Sequence, residues 1–388
     1  MPVPRAIAKA INIADLKRLA RRRLPRILFD WVEGGAEDER GLARNEAQFG
    51  RYRLLPRYLE DVQRIDLASA LFGRRYQAPF GIAPTGFAGL LRPGADLMLA
   101  RAAATADIPF ILSGASTSSV AAAAAAGNGN VWYQLYAPHD ARTLDDMIGR
   151  VRDSGVEVLV YTVDLPREAK RERDLRNGFD LPLAITPRLV ADVLAHPSWL
   201  LDYFRTGGLP VMENWAPYAP AAADAVAVAE TMKSHYYPIQ TWEDFQRIRD
   251  CWRGTFVIKG LMHPADAERA ARLGADGVIV SNHGGRQLDS APTALEILPA
   301  IRAAVPSGHA VMLDGGIRRG ADIVIAKCLG ADFVFLGRAT LYGAIAGAEA
   351  GADRAIAIMC DEMVRTMAQI GRRSMSSLDA ACLMPGGG

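Results

Sequence analysis

The chain has 388 residues, half of them apolar, with 45 Lys and Arg against 43 Asp and Glu. A net charge of +2 gives no basic stripe for a nucleic acid, and the apolar fraction is ample for a large core. The four cysteines, Cys251, Cys328, Cys360 and Cys382, form no C-x-x-C pair. That argues against a disulfide framework or a zinc site and fits a reducing compartment.

Met1-Pro2-Val3-Pro4-Arg5 starts no secretory segment, and no apolar run is long enough for a transmembrane helix. The expected location is the cytoplasm, with peripheral contact at the inner face of the membrane left open. Lys17, Arg18, Arg21, Arg22, Arg23 and Arg26 cluster near the start. They read either as a solvated helix face or as a patch for an anionic lipid surface.

From Asp15 to Asp30 the apolar residues Leu16, Leu19, Ala20, Ile27 and Leu28 follow helical spacing, interrupted at Pro25. Trp31 to Asp38 reads as a turn leading into a charged helix. Short apolar runs bounded by Gly or Pro then recur, as buried strands do, at 79–84, 109–113, 131–136 and 158–164. Four more lie at 256–260, 277–281, 310–314 and 332–337. Ala-rich helical stretches such as 95–106, 265–273 and 321–329 fall between them. This alternation predicts a single-domain α/β fold, a closed (β/α)8 TIM barrel over 1–388, with a doubly wound open sheet as the competitor. No G-x-G-x-x-G follows an early strand, which weakens the competitor. Residues 1–78 are expected to form a helical segment packed on the barrel.

One crossover is anomalous. Roughly 80 residues separate the fourth strand from the fifth, where an ordinary connection needs far fewer. The part from 177 to 241 is rich in Pro, Ala and aromatics, among them Trp199, Tyr203, Phe204 and Trp215. It is expected to be a lid or, through exposed aromatics, a membrane-contact segment.

Polar residues gather where the strands end. Pro84, Thr85 and Gly86 follow the first strand and Ser113 ends the second; Gln134 and Tyr136 mark the third, Thr162 and Asp164 the fourth, and Lys259 the fifth. Barrel active sites are built at those ends, and a dry core would hold a Lys, an Asp and a His only at high cost. After the sixth strand comes Ser281-Asn282-His283-Gly284-Gly285-Arg286-Gln287-Leu288-Asp289. It brings together a residue that exchanges protons near neutral pH, glycines that allow close backbone approach, and a guanidinium suited to a carboxylate. Asp314-Gly315-Gly316-Ile317-Arg318 follows the seventh strand and Gly337-Arg338 the eighth, where barrels commonly bind phosphate. Histidines 139, 196, 235, 263 and 309 lack such surroundings, and no metal site is expected.

These motifs, together with Ala83-Pro84-Thr85-Gly86, Gln134-Leu135-Tyr136, Thr162-Val163-Asp164 and Val257-Ile258-Lys259-Gly260, resemble the FMN-dependent α-hydroxy-acid dehydrogenases and oxidases over nearly the whole chain. The mandelate dehydrogenase branch is the most similar. The resemblance implies FMN as cofactor and oxidation of a small (S)-2-hydroxy acid, mandelate or a similar aryl acid, with a quinone or electron-transfer protein as acceptor. L-lactate oxidation or a peroxide-producing oxidase comes next, then an FMN-dependent isomerase. The resemblance makes His283 the base and Asp164 its orienting partner, and gives Lys259 the flavin N1/O2 edge. Arg171, Arg286 and Tyr136 would hold the substrate. Thr85, Ser113, Gln134 and Thr162 would bond the flavin ring, with Ser281, Gly316, Arg318, Gly337 and Arg338 towards the phosphate. A homotetramer is implied as well.

The family pattern breaks in one place. Trp31 stands where relatives usually have a substrate-touching Tyr, and an indole N–H donates but cannot accept. Gly86 and Ala115 are small where oxidase members are larger, which leaves room for a bulky side chain and points away from oxygen as acceptor.

Overall fold

The computed structural model describes residues 3–179, 185–236 and 240–385; residues 180–184 and 237–239 of the long insertion lie outside the described residues. Eight strands form one closed parallel barrel: β1 (Phe80–Ile82), β2 (Phe110–Leu112), β3 (Val131–Leu135), β4 (Val158–Thr162), β5 (Thr255–Leu261), β6 (Gly277–Val280), β7 (Ala310–Asp314) and β8 (Phe333–Leu336). Each pairs with its sequence neighbours, and β8 closes on β1 through Val334 opposite Phe80 and Phe335 opposite Gly81.

The strands are continuous apolar runs because both faces are covered. Along β4, Val158 and Val160 point into the barrel interior with Ile111, Trp132, Val257, Ile279, Met312 and Phe335. Leu159 and Tyr161 alternate to the outer layer, under the helices. That interior is packed solid, so no ligand can lie within the strand layer. A hairpin of Ser69–Leu71 and Arg74–Tyr76 plugs the N-terminal end, with the Phe72 ring 5.7 Å from Trp132. Only the C-terminal mouth is left for chemistry.

The N-terminal segment breaks where Pro25 requires it, into helices Ile13–Arg23 and Arg26–Glu33. Trp31 belongs to the last turn of the second helix, not to the turn expected from sequence, and the chain leaves the helix at Gly34. The basic cluster is largely neutralised by pairing: Lys17 with Glu33, Arg18 with Asp15, Arg23 with Asp202 and Arg26 with Asp30. Such pairing favours the solvated-face reading over a free cationic patch.

The insertion carries helices Glu172–Asn177, Pro187–Leu194, Pro197–Arg205 and Ala225–His235. Two of its tryptophans are not exposed, contrary to expectation. Trp199 and Trp215 are 7% and 0% exposed, and their indole N–H groups donate to Leu90 O (2.9 Å) and Gly114 O (3.0 Å). The buried Asn214 accepts from Val120 N at 2.9 Å and donates to Ser116 Oγ at 2.9 Å. These bonds seat the insertion on the barrel mouth. Its exposed large apolar residues are instead Leu175, Ile185, Val190, Leu194, Leu201 and Phe204 among the described residues. No helix among the described residues is long and apolar enough to cross a membrane.

Candidate active site

A cavity of about 600 Å³ opens at the C-terminal mouth. Almost every residue singled out from the sequence lines it: Trp31, Pro84, Thr85, Gly86, Gln134, Tyr136, Thr162, Arg171, Lys259, His283, Arg286, Asp314, Gly315, Gly316, Arg318, Gly337 and Arg338. Three do not. Asp164 stands behind His283, and Ser113 and Ser281 are buried in the wall. Leu209, Pro210, Met232 and Tyr236 of the insertion complete the lining, so this segment is part of the site.

The turn after β6 is built to hold His283. Its backbone is left-handed, at φ 57°, which a non-glycine residue adopts only where its surroundings hold it there. Ser281 Oγ accepts from His283 N at 3.0 Å, and Asn282 Oδ1 accepts from Gly285 N at 3.1 Å. Asn282 also exchanges two side-chain hydrogen bonds with Asn45, at 2.8 and 2.9 Å. Gly285 is required as glycine: at φ 78° a Cβ would lie 2.6 Å from Leu42 N. Through that contact, and through Gly41 N donating to Asp289 Oδ1 at 2.6 Å, helix Arg40–Ala47 packs on the turn. Asn45, Asn282 and Asp289 therefore position the site without lining it. Sequence inspection did not single out Asn45 or assign these roles, because their partners lie more than two hundred residues away.

His283 Nδ1 meets Asp164 Oδ1 at 3.0 Å, which directs the other ring nitrogen away from the carboxylate. Burial pushes the Asp164 carboxyl up, but the His283 charge and hydrogen bond, with Lys259 behind them, outweigh it and hold the group below the usual carboxylate range. Lys259 Nζ donates to Ser281 Oγ at 2.9 Å and pairs with Asp314 at 3.1 Å, while Ser281 Oγ donates to Asp314 at 2.6 Å. Burial alone would lower this ammonium; Asp314 and Asp164 reverse that and raise it. Lys259 is a fixed cation at the cavity floor.

The arginines divide into two kinds. Arg338 donates to the carbonyls of Val32, Gly284 and Gly34 at 2.8, 3.0 and 2.9 Å, tying the N-terminal segment to the β6 turn. Arg286 Nη1 donates to Trp31 O and Gly34 O, at 2.7 and 2.8 Å, and no carboxylate pairs with it among the described residues. Burial, with repulsion from Arg171 and Arg338, pushes its guanidinium down to about 9. A guanidinium keeps its proton at neutral pH, so this strain is relieved by an anionic ligand. Arg171 lies 3.4 Å from Asp174 and 3.7 Å from Glu168. Arg318 bonds Glu46 at 2.8 Å.

Three buried polar atoms on the cavity wall have no hydrogen-bond partner among the described residues: Thr85 Oγ1, Gln134 Nε2 and Thr162 Oγ1. Gln134 Oε1 already accepts from Gly114 N at 3.1 Å and Ser113 Oγ at 3.3 Å, which turns its amide nitrogen outward. Buried polar groups are seldom left unsatisfied. A flat ligand with both donors and acceptors along its edge would satisfy all three and would meet Lys259, as a flavin ring requires. The profile of the FMN-dependent dehydrogenases matches residues 20–385.

The chain belongs to the FMN-dependent dehydrogenase family.

Among relatives of this flavoenzyme, the (S)-mandelate dehydrogenase of Pseudomonas putida is 40% identical over 369 residues, 95% of this chain and 92% of the relative. The L-lactate dehydrogenase of Caulobacter vibrioides is 39% identical over 372 residues, covering 96% and 97%. A crystal structure described as the monotopic membrane protein (S)-mandelate dehydrogenase superposes with a TM-score of 0.93 at 40% identity, covering 97% of this chain and all of that one. A mandelate oxidase variant bound to (S)-mandelic acid gives 0.80 at 32% identity, over 97% and 98%. The chain is therefore an FMN-dependent dehydrogenase, and these relatives act on mandelate and lactate, both 2-hydroxy acids.

Proposed function

We propose that the substrate is an (S)-2-hydroxy acid with a large side chain, mandelate being the first candidate, and that the acceptor is a quinone or an electron-transfer protein, not oxygen. The observation that carries this reading is the His283–Asp164 pair, 3.0 Å apart, on the cavity that Arg171 and Arg286 charge. Gly86 and Ala115 support the large side chain: a Cβ added at Gly86 would stand 3.3 Å from that of Ala115, so that wall is kept low.

Thr85, Gln134, Thr162 and Lys259 would hold the polar edge of the flavin ring, with Ser113 steering Gln134. Gly315, Gly316, Gly337 and Arg318 would receive the phosphate, Arg338 adding its charge while its bonds serve the fold. When bound, FMN supplies the acceptor for two electrons. Arg171 and Arg286 would fork onto the substrate carboxylate and set the hydroxyl-bearing carbon against His283. Burial pushes the Tyr136 phenol up, so it stays protonated as a hydrogen-bond donor to the substrate. His283 would take one of the two protons that the oxidation releases, through the nitrogen turned away from Asp164, whose carboxylate stabilises the imidazolium, while the other hydrogen leaves with the two electrons.

Anaerobic titration tests the reading. (S)-mandelate is expected to bleach the yellow protein; bleaching by L-lactate alone would move the assignment to the lactate branch, and rapid reoxidation in air with peroxide release would make it an oxidase. The lactate alternative has support in the L-lactate dehydrogenase relatives.

We also infer peripheral membrane contact through the insertion. Val190 and Leu194 are four apart on one helix and Leu201 and Phe204 three apart on the next, so each pair shares a face, and all four are exposed. The mandelate dehydrogenase neighbour is described as monotopic. Replacing these four residues with Ser or Gln is expected to move the protein from the membrane pellet to the supernatant on cell fractionation, with anaerobic bleaching retained. An unchanged distribution would remove the patch from membrane binding.

A further inference from the structure

Proton removal and carboxylate capture leave one wall of the cavity unexplained. The Trp31 indole stacks on Phe179, with centroids 5.5 Å apart and planes 30° apart, and meets Phe87 edge-on at 6.3 Å and 88°. These three rings come from the end of helix Arg26–Glu33, the start of the insertion and the loop after β1, and all line the cavity. The Arg286 guanidinium lies over the Trp31 ring, 5.6 Å from its centroid, while its Nη1 donates to the carbonyl of the same residue at 2.7 Å. The residue that holds the Arg286 guanidinium, by its carbonyl and the face of its ring, thus also anchors an aromatic cluster.

This juxtaposition has a chemical consequence. An acid whose carboxylate is drawn to Arg286 brings its side chain beside the Trp31 cluster. Ring quadrupoles favour offset or edge-on contact with another aromatic ring, and such a pair adds roughly 2- to 12-fold in affinity beyond the area it buries. A saturated ring of similar shape buries similar area without that gain.

We infer that Trp31, backed by Phe179, is a specificity-determining residue that selects 2-hydroxy acids carrying a planar aromatic ring over those with a saturated side chain of the same size. The inference rests on the substrate class proposed above and assigns its discrimination to this wall. It also makes Trp31 a positioning residue for Arg286, a role exerted through its carbonyl and the face of its ring.

The test uses two acids that lack the 2-hydroxyl and cannot be oxidised, phenylacetate and cyclohexylacetate. Their dissociation constants are measured on the FMN-loaded enzyme by calorimetry and by the change in flavin absorbance. The wild type is expected to favour phenylacetate by roughly 2- to 12-fold. Trp31→Leu should bring the ratio close to one, whatever happens to absolute affinity through Arg286. Phe179→Leu, which leaves the Arg286 contacts in place, should lower it in part. A wild-type ratio near one, or an undiminished ratio in Trp31→Leu, overturns the inference. Should Trp31→Leu fail to retain FMN or to fold, an undiminished ratio in Phe179→Leu overturns it instead. Anaerobic bleaching of the wild type by 2-hydroxy acids separates the two levels. Loss of ring discrimination with bleaching intact defeats only the role of Trp31, whereas no bleaching by any 2-hydroxy acid defeats the substrate class itself.

Discussion

His283→Gln is expected to yield a folded, yellow protein whose anaerobic reduction by its 2-hydroxy acid is slower by about 10²- to 10⁴-fold, the usual contribution of a positioned general base. An amide of similar length can still occupy the place beside Asp164 but cannot take a proton. The same substitution has a second consequence, on stability. In the wild type, burial raises Asp164 while the His283 charge, its hydrogen bond and Lys259 together bring it below its ordinary value. A carboxyl held low in the folded state stabilises the protein above its unfolded value of about 4, and that contribution is lost as pH falls through the folded value. His283→Gln removes the imidazolium charge, the largest opposing influence, and leaves a neutral amide donor in its place, so burial is opposed less and the Asp164 contribution shrinks or changes sign. The stability gap between wild type and variant is therefore expected to be widest near neutral pH and to narrow below about pH 4. Stopped-flow bleaching checks the first effect and urea unfolding at several pH values the second. Undiminished bleaching would remove His283 as the base, and a gap constant with pH would remove its coupling to Asp164.

The barrel was legible because each strand is a short apolar run closed by Gly, Pro or a polar residue, a local property. The strand-end residues were legible for a related reason. Lys259 at the end of Val257-Ile258 and Thr162 at the end of Val158–Tyr161 are polar residues where an apolar run would otherwise continue. What stayed hidden depends on partners remote in sequence. Nothing near Trp199 or Trp215 indicates that a carbonyl at Leu90 or Gly114 awaits the indole N–H, so both looked exposed. Arg338 sits on a phosphate-type loop, yet its bonds run to carbonyls some three hundred residues earlier and to Gly284. Asn45 lies in a helix with no chemical motif and is legible only once Asn282 is placed opposite it.

The insertion joins two properties that the sequence presented as alternatives. Its inner side supplies Leu209, Pro210, Met232 and Tyr236 to the cavity, while Val190, Leu194, Leu201 and Phe204 face outward. On the reading proposed above, a cavity wall and a membrane-contact surface would be two faces of one segment, held to the barrel by Trp199, Asn214 and Trp215. Changes to the outer face are therefore expected to alter location without touching the chemistry, which is why bleaching is the control in the fractionation experiment.

Lys259→Met is expected to cost the FMN-free protein about 3–5 kcal/mol of unfolding free energy, the usual result of removing one partner from a buried ion pair. The Lys259 and Asp314 side chains are only 4% and 10% exposed, and Ser281 bridges them. Without the ammonium, the Asp314 charge is left in a largely buried wall with the Ser281 hydroxyl as its side-chain donor among the described residues. The loss arises from that stranded carboxylate more than from the missing attraction, and this is what the double variant separates. Lys259→Met combined with Asp314→Asn removes both charges, so it should be more stable than Lys259→Met alone, with a coupling of roughly 0.5–3 kcal/mol in the double-mutant cycle. If the two losses simply add, the pair does not act as a unit in the FMN-free protein. The rescue should not extend to chemistry. Lys259 lines the cavity beside Thr162 and Gln134, and the double variant presents a methyl thioether there in place of a fixed cation. It should refold well, bind FMN more weakly and bleach slowly. Stability restored together with normal bleaching would reduce Lys259 to a structural counter-charge for Asp314.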